Sequence, residues 1–299
     1  MPRDTAIDTA ARTLISPARL RRPAARRAYW TIVVLVVVLF TVVFTGPLYW
    51  MITGALKSGP EVAQVPPTLY PQHPQPGNYG EAWTALSLGR LLLNTMWYAF
   101  GALAFQLVFD VAAAYAFSKL RPAFGNALLG LMLATLMIPS TVLVIPQYVT
   151  VIDLPLVHWN MLDSPWAIWL PAVTNAFNIF LLKRFFDSIP QDLMSAAAID
   201  GAGPMRTLWS VVLPISRPIL GVVSIFSLTA IWKDFLWPLL VEPSADNRTV
   251  NVGIYAFSQG LTQNVVIAGA VIAAVPTVVF FLIFQKNIMS GLTTGSLKG

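Results

Sequence analysis

The sequence has no cysteine and only two histidines among its 299 residues. Without cysteine it can form no disulfide, no thiolate nucleophile and no metal site with cysteine ligands. His73 and His158 are too few for a metal site rich in histidine. We therefore expect no metal ion on this chain.

Charged residues are also scarce, at 11% against 56% hydrophobic residues, and the mean hydropathy is +0.67. Soluble domains carry about 25% charged residues, so much of this surface is expected to face a lipid bilayer. The net charge of +6 does not indicate nucleic-acid binding, because seven arginines precede the first apolar run. A basic segment in that place is typical of a membrane topology signal, and binding to lipid headgroups is the alternative.

Six apolar stretches are long enough to cross a membrane, which takes about 20 residues. Fifteen lysines and arginines fall on the side that holds the N-terminus and three on the other. The positive-inside rule therefore places both termini in the cytoplasm. The predicted fold is an all-α integral membrane protein with six transmembrane helices, at about 30–52, 91–117, 127–147, 165–182, 219–241 and 264–285.

The first apolar run is longer than the apolar core of a signal peptide, about 7–15 residues, so we interpret it as a retained anchor. Six prolines between the first two spans predict an extended external loop without helix. The chain is thus organised as a basic cytoplasmic tail at 1–29, a first helix at 30–52, an external proline-rich loop at 53–90, a five-helix core at 91–285 and a cytoplasmic tail at 286–299.

One predicted cytoplasmic segment, the 186–217 loop, is more detailed than a connection between two spans requires. It contains most of the stretch SAAAIDGAGPMRTLWSVVLPISRPI, with many small residues, two glycines and three prolines. Ser188 and Gln191 are spaced as a capping box, which predicts a short helix. That helix is expected to stop at Asp200, with Gly201 as the residue that reverses the chain.

Pro204 is expected to begin a second short helix in this loop, and Pro214 to end it. In the first helix, Leu193, Ala196 and Ala197 share one face. Because alanines remove side-chain bulk, another protein could approach this face closely, as in the docking of a helix into a groove. A helix lying on the membrane is the alternative, but the segment lacks the large apolar face and lysine-rich polar face of such helices.

The same stretch resembles the EAA loop of binding-protein-dependent ABC importer permeases, whose pattern is EAA, then DGA, then a hydrophobic residue before LP. Further similar segments are NAFNIFLLKRFFDSIP before the loop, LATLMIPSTVLVIPQY in the third span and IWKDFLWPLLV in the fifth. The ending GLTTGSLKG is similar to the C-terminus of the maltose-type subunit. Together they resemble the carbohydrate-type branch, and within it the second permease subunit of a heterodimer.

This resemblance implies a type I importer fold in the inner membrane of a bacterial or archaeal cell. The chain would hold no cofactor, because ATP and magnesium would bind to two copies of a partner ATPase. The 186–217 loop would form a coupling helix in a cleft of that ATPase. The other partners would be a homologous permease subunit and an extracytoplasmic solute-binding protein, toward which the external loop at 242–263 would reach.

The family's ATPase-coupling positions are carried over here residue by residue. The pattern has glutamate where this chain has serine, so a carboxylate able to pair with an arginine of the ATPase is missing. The C-terminal tail would also contact the ATPase, with a frayed tail as the alternative. The coupling positions are Ser195, Ala196, Ala197, Asp200, Gly201, Ala202, Leu213 and Pro214, and the tail positions are Gly295, Ser296, Leu297, Lys298 and Gly299.

Polar side chains within the spans are candidates for contact with the solute. Amides match sugar hydroxyls because they both donate and accept hydrogen bonds, and ionisable groups in a membrane are usually functional. The candidates are Asn94, Asn175, Asn178, Lys233 and Asp234. Two structural alternatives stay open: the asparagines could join helices together, and Asp110 could pair with Lys233, where the family often has an uncharged residue.

Two other classes of protein fit the sequence less well. An intramembrane hydrolase needs a Ser/His or paired-carboxylate site, and the sequence has no phosphate-binding loop for ATP, so we expect no catalytic residue. An ion-driven transporter usually carries internal repeats, and none is clear here. The predicted function is the permease subunit of an ATP-driven sugar importer, with glycerol phosphate compounds as the alternative solutes.

Overall fold

The computed structural model describes the backbone of residues 22–294 and the side chains of residues 22–285. Within these ranges the chain is helical, with no strand beyond an isolated bridge between Leu154 and Trp159. The prediction of an all-α protein is confirmed. The helices are α1 Pro23–Ala55, α2 Gly59–Val62, α3 Gly77–Ala85, α4 Leu88–Tyr115, α5 Gly125–Thr135, α6 Ser140–Ile152, α7 Trp166–Trp169, α8 Ala176–Asp187, α9 Gln191–Ile199, α10 Pro204–Thr207, α11 Leu213–Ile215, α12 Arg217–Lys233, α13 Leu236–Val241, α14 Val250–Phe257 and α15 Gln263–Thr294, with π-helical turns at Ala116–Leu120 and Leu208–Val212.

Three helices are long and apolar enough to cross a membrane by themselves: α1, α4 continued through its π-helical turn, and the part of α15 up to Gln285. Two more spans result if helices joined at a sharp bend are counted as one. These are α5 with α6, bent by 103°, and the helix Pro204–Ile215 with α12, bent by 81°. The described part of the chain thus holds three to five candidate spans, and the number of six stays a prediction.

The predicted fourth span, residues 165–182, is wrong as a continuous helix. α7 ends at Trp169, and α8 begins only after Asn175. The Asn175 side chain caps α8, since its Oδ1 accepts hydrogen bonds from two backbone N–H groups of the first turn at 3.0 and 3.2 Å. Pro171 lies between the two helices and has no N–H to donate. Hydropathy counted these residues as apolar and therefore missed the break.

The segment between the first two predicted spans is not entirely extended, which corrects the prediction for residues 53–90. α1 continues to Ala55, and α3 covers Gly77–Ala85. The buried Asn78 side chain fixes α3 to the end of α1, because its Nδ2 donates to the backbone oxygens of Ala55 and Lys57 at 2.9 and 2.8 Å. The prolines that suggested a loop all precede this helix.

Buried apolar side chains connect the 186–217 loop to the membrane helices. Leu208 and Val212 of the loop are buried in one cluster with Tyr115 of α4 and with Leu182 and Phe186 of α8. Interiors packed in this way transmit displacements, because they have little free volume. A movement of the loop therefore has to be accommodated by α4 and α8.

We expect Gly101→Ala to destabilise the protein. A Cβ at this position in α4 would overlap the indole ring of Trp169, whose Nε1 donates to the backbone oxygen of Tyr98 at 3.1 Å. Such overpacking costs about 1–3 kcal/mol, so the midpoint of thermal unfolding in detergent should fall by several degrees. Gly130→Ala is the control, because in α5 a Cβ there meets nothing within 4 Å. Equal midpoints for the two variants would contradict the packing described here.

Candidate functional site

A large cavity lies among α4, α8 and α12 and has a volume of about 870 Å³. Four of the five predicted solute-pathway residues line it: Asn175, Asn178, Lys233 and Asp234. The sequence did not single out the other polar residues of its wall, Gln106, Thr174, Ser227 and Thr229. Gln106 lies one helical turn before Asp110, so both face the same side of α4. The spacing of these two polar residues in an otherwise apolar helix could have identified Gln106 as a residue of the cavity wall from the sequence alone.

The two asparagines of the cavity also hold the helices in place. Asn175 caps α8, and Asn178, only 3% exposed, donates from Nδ2 to the Ser227 hydroxyl of α12 at 3.1 Å. Asn178 therefore joins α8 to α12, as the structural alternative for the asparagines predicts. Both residues nevertheless line the cavity, so the two roles are compatible.

The predicted pair between Asp110 and Lys233 is wrong. Asp110 is fully buried, and its Oδ1 accepts a hydrogen bond from the backbone N–H of Asn175 at 2.9 Å. Lys233 is exposed on the cavity wall, and no ion pair joins it to an acid among the side chains described. The break before α8 supplies Asp110 with a backbone donor, which a continuous fourth span would not have offered.

Asn94 lies away from the cavity. Its Nδ2 donates to the backbone oxygens of Asp246 and Arg248, at 2.6 and 3.2 Å, and Arg90 forms an ion pair with Asp246. The Tyr98 hydroxyl donates to the backbone oxygen of Asn247 at 2.9 Å. These contacts hold the loop after α13, which the sequence predicts to be external and which we call the outer loop, against α4.

A second cavity of about 320 Å³ adjoins the first toward this outer loop. The two cavities share Asp234 and the apolar residues Pro171, Ala172 and Ile231. Asp234 therefore lies where they meet, directly after the end of α12. The two cavities are thus contiguous, and polar side chains interrupt a mostly apolar lining.

The 186–217 loop contains the two predicted helices, with differences at their ends. Gly201 has a φ of +72°, a conformation that favours glycine, so the predicted end of α9 is confirmed. The N–H of Ala202 donates to the oxygen of Ala197 at 2.9 Å, and that of Gly201 to Ala198 at 3.0 Å. These two bonds form a Schellman motif and hold the chain reversal in place.

Two details of this loop correct the prediction. The capping box is wrong: Pro190 occupies the N-cap of α9, and the Ser188 hydroxyl donates back to the oxygen of Phe185 at 2.7 Å. Pro214 does not end the second helix, which continues to Ile215. The preceding π-helical turn Leu208–Val212 changes the backbone path where proline would otherwise clash with the turn before it.

The exposure of side chains distinguishes two faces of this loop. Ala197 is buried against its own subunit at 8% exposure, whereas Ser195, Ala196 and Asp200 are exposed. The sequence did not single out Ile199, which is 85% exposed. Large apolar side chains exposed on a loop are typical of sites that contact another protein or a membrane. We call Ile199, Met205 and Trp209 the apolar patch; the latter two are 67% and 66% exposed.

The predicted ATPase contacts of the C-terminal tail, Gly295 to Gly299, lie outside the described residues. The cavity and the 186–217 loop are therefore the two described features that bear on function. The loop packs on the same helices that form the wall of the cavity.

Comparison with known proteins gives the family. The profile of the binding-protein-dependent transport system inner membrane component matches residues 108–289, which include the larger part of the cavity wall and the whole 186–217 loop. The chain belongs to this family. It is a multi-pass inner-membrane permease subunit of an ABC importer and not an enzyme, and it works with a partner permease, an ATPase and a binding protein.

Several permeases are similar to this one over most of their length. The diacetylchitobiose uptake system permease protein NgcG of Streptomyces coelicolor is 28% identical over 94% of this chain and 93% of its own. The sulfoquinovosyl glycerol transport system permease protein SmoH of Agrobacterium fabrum is 32% identical over 85% and 88%. The sn-glycerol-3-phosphate transport system permease protein UgpE of Yersinia pestis is 32% identical over 82% and 89%.

The fold of the permease is also found in a solved structure. A chain from the crystal structure of a bacterial ABC transporter involved in the import of alginate, an acidic polysaccharide, aligns with a TM-score of 0.77. The alignment covers 92% of this chain and 99% of that chain at 22% identity. The type I importer fold is therefore confirmed.

Directly after the end of α13, the carboxyl group of Glu242 is buried. The residue is 1% exposed, and neither carboxyl oxygen has a hydrogen-bond partner in the part of the chain that is described. Burial, and then the negative charge of Asp163, raise the pKa of Glu242 to about 8. The folded protein therefore binds this proton more tightly than the unfolded chain, in which the pKa is about 4.5.

We expect this buried carboxyl group to make stability depend on pH. Because the folded state retains the proton, the free energy of unfolding should fall as the pH rises from about 4.5 to about 8. Glu242→Gln removes this contribution, so at pH 9 its unfolding midpoint should exceed that of the wild type by several degrees. The exposed Glu81→Gln is the control. Parallel pH profiles for Glu242→Gln and wild type would refute this assignment.

Proposed function

We propose that this permease carries a sugar or a related polyhydroxylated solute across the inner membrane. The observation that supports it is the cavity of about 870 Å³, whose wall presents amide and hydroxyl groups from three helices. Such groups both donate and accept hydrogen bonds, as a solute with many hydroxyls requires. The names of the relatives NgcG and SmoH, for diacetylchitobiose and sulfoquinovosyl glycerol, favour the same class of solute.

The energy for transport comes, in this proposal, from two copies of the partner ATPase, which bind ATP with magnesium. The 186–217 loop docks into that ATPase through its exposed face, which includes Ala196, Gly201 and the apolar patch. The shared packing of Leu208 and Val212 with α4 and α8 then transmits the movement to the cavity wall. Leu213 and Pro214 act by shaping the π-helical turn, and Ser195 contributes no charge to the contact.

A second candidate is import of a glycerol phosphate compound. The relative UgpE is named for sn-glycerol-3-phosphate and is as similar as SmoH. Lys233 on the cavity wall supplies a positive charge that a neutral sugar does not need. Both candidates use the same cavity and the same ATPase.

The test is ATP hydrolysis by the complete complex, reconstituted in proteoliposomes with its binding protein and a panel of neutral sugars, sugar acids and glycerol phosphates. We expect one class of polyhydroxylated solute to stimulate hydrolysis several-fold. Stimulation by an amino acid or a metal ion, with none from the panel, would overturn the proposal. Hydrolysis that no binding protein or solute changes would contradict the coupling of solute to ATP.

A further inference from the structure

Lys233 is the last residue of α12, and its side chain is exposed on the wall of the large cavity. It also borders a smaller cavity of about 280 Å³ beside Asn251 and Thr277. No carboxylate lies within 4 Å of its ammonium group in residues 22–285, where side chains are described. A charged group at membrane depth is costly unless it has a partner. The backbone carbonyls at the end of α12 supply only a partial negative charge.

Two acids of the same region do not pair with Lys233. Asp234 follows it directly and also lines the cavity, but its carboxylate lies more than 4 Å from the Lys233 ammonium group. Asp110 is fully buried behind the wall and accepts from Asn175. Neither carboxylate therefore acts as the counterion of Lys233.

The remaining polar side chains of the cavity wall carry no charge. They are the amides of Gln106, Asn175 and Asn178 and the hydroxyls of Thr174, Ser227 and Thr229. The buried Gln106 Oε1 has no hydrogen-bond partner within the described chain. A buried acceptor of this kind is costly to leave unpaired. The cavity wall thus combines one cation that has no ion-pair partner among the described residues with amide and hydroxyl side chains that can hydrogen-bond hydroxyl groups.

We propose that the solute is a polyhydroxylated anion and that Lys233 pairs with its phosphate, sulfonate or carboxylate group. This inference rests on the proposed function, since it assigns the charge of the solute that the cavity conducts. The amides and hydroxyls bind the hydroxyl groups of the solute, and the ammonium group compensates its negative charge while it is away from water. Lys233 then determines the specificity of the permease for the charge of its solute.

The experiment measures uptake by proteoliposomes that contain the complete complex, with ATP inside and the binding protein outside. Three matched pairs of solutes are used, each a neutral compound and its anionic counterpart. They are maltose and maltose 6′-phosphate, glucosyl glycerol and sulfoquinovosyl glycerol, and cellobiose and cellobiouronic acid. The variants are Lys233→Gln, which removes the charge, and Lys233→Arg, which keeps it.

We expect the wild type to import the anionic member of at least one pair faster than the neutral member. Lys233→Gln should lower that uptake about tenfold or more, since removing one partner of a desolvated charge pair is costly. Uptake of the neutral member should fall far less, so the ratio of anionic to neutral uptake should fall by nearly the same factor. Lys233→Arg should retain most of the anion uptake and most of that ratio.

Preferred uptake of neutral members, unaffected by Lys233→Gln, would overturn the inference and leave the proposed function standing. An equal loss for neutral and anionic solutes would also overturn it, because Lys233 would then support the structure or contact the partner permease. If no pair is imported although the complex assembles and hydrolyses ATP, the proposed function fails, and this inference fails with it.

Discussion

Replacing Ile199 by aspartate is expected to abolish binding of the ATPase to the permease. Ile199 is the most exposed residue of the apolar patch, on the loop that docks in our proposal. Burying such a side chain contributes about 1.5–3 kcal/mol, and an unpaired charge in its place costs about 3–5 kcal/mol. The combined change corresponds to at least about a thousandfold loss of affinity. Purification of the complex through a tag on the permease should then recover no ATPase.

Ile199→Leu is the matched control, because it keeps the apolar volume and should retain the complex. A cysteine probe gives an independent measurement. Ala196 is exposed and Ala197 is buried in its own subunit, so Ala196→Cys should form a cross-link to a cysteine in the ATPase cleft, and Ala197→Cys should not. Full recovery of ATPase with Ile199→Asp would place the docking surface elsewhere.

The second large effect is expected for Gly201→Val. Gly201 has a φ of +72° in the Schellman motif that ends α9, and a β-branched residue there costs about 1–3 kcal/mol in backbone strain. A Cβ at Gly201 meets no atom of this chain within 4 Å, so the fold has room for it and the strain acts on the chain reversal itself. We expect transport to fall at least about tenfold while the complex still hydrolyses ATP.

Gly203→Val separates this strain from the effect of added bulk. Gly203 lies two residues further on, also has nothing within 4 Å of a Cβ, and has an ordinary extended backbone with φ of −70°. It should transport nearly as well as the wild type. The measurement is solute uptake and ATP hydrolysis in the same proteoliposomes. If the two valine variants behave alike, bulk at the docking surface, and not the conformation of Gly201, is what matters.

The sequence correctly predicted where a helix begins or ends when a single residue determines that position. Gly201 ends α9 because glycine is favoured at a positive φ, and Pro204 begins α10 because the first turn needs no N–H there. The capping box failed because Ser188 satisfied a carbonyl of the previous helix and left the N-cap to Pro190. The spacing of Ser188 and Gln191 alone does not show whether the serine hydroxyl bonds to the helix that follows it or to the helix that precedes it.

Features that depend on distant parts of the chain could not be predicted. The contact of Asp110 with the backbone of Asn175 requires the break before α8, which hydropathy does not reveal. Asn94 is one of several asparagines in the sequence, and only the path of the outer loop back to α4 separates it from those of the cavity. Likewise, Ala196 and Ala197 are equivalent in sequence, but in the folded chain Ala196 is exposed and Ala197 is buried.

The exposure of the apolar part of α1 has a consequence for biogenesis. An 18-residue window of this helix has a mean hydropathy of 2.6, and none of that window is buried against the rest of the described chain. Such a helix can partition into lipid by its own composition, before the later membrane helices have left the ribosome. The broken segment of α7 and α8 is too short and interrupted to do the same. Its insertion has to wait for neighbouring helices, so the chain enters the membrane first by partitioning and then by assembly.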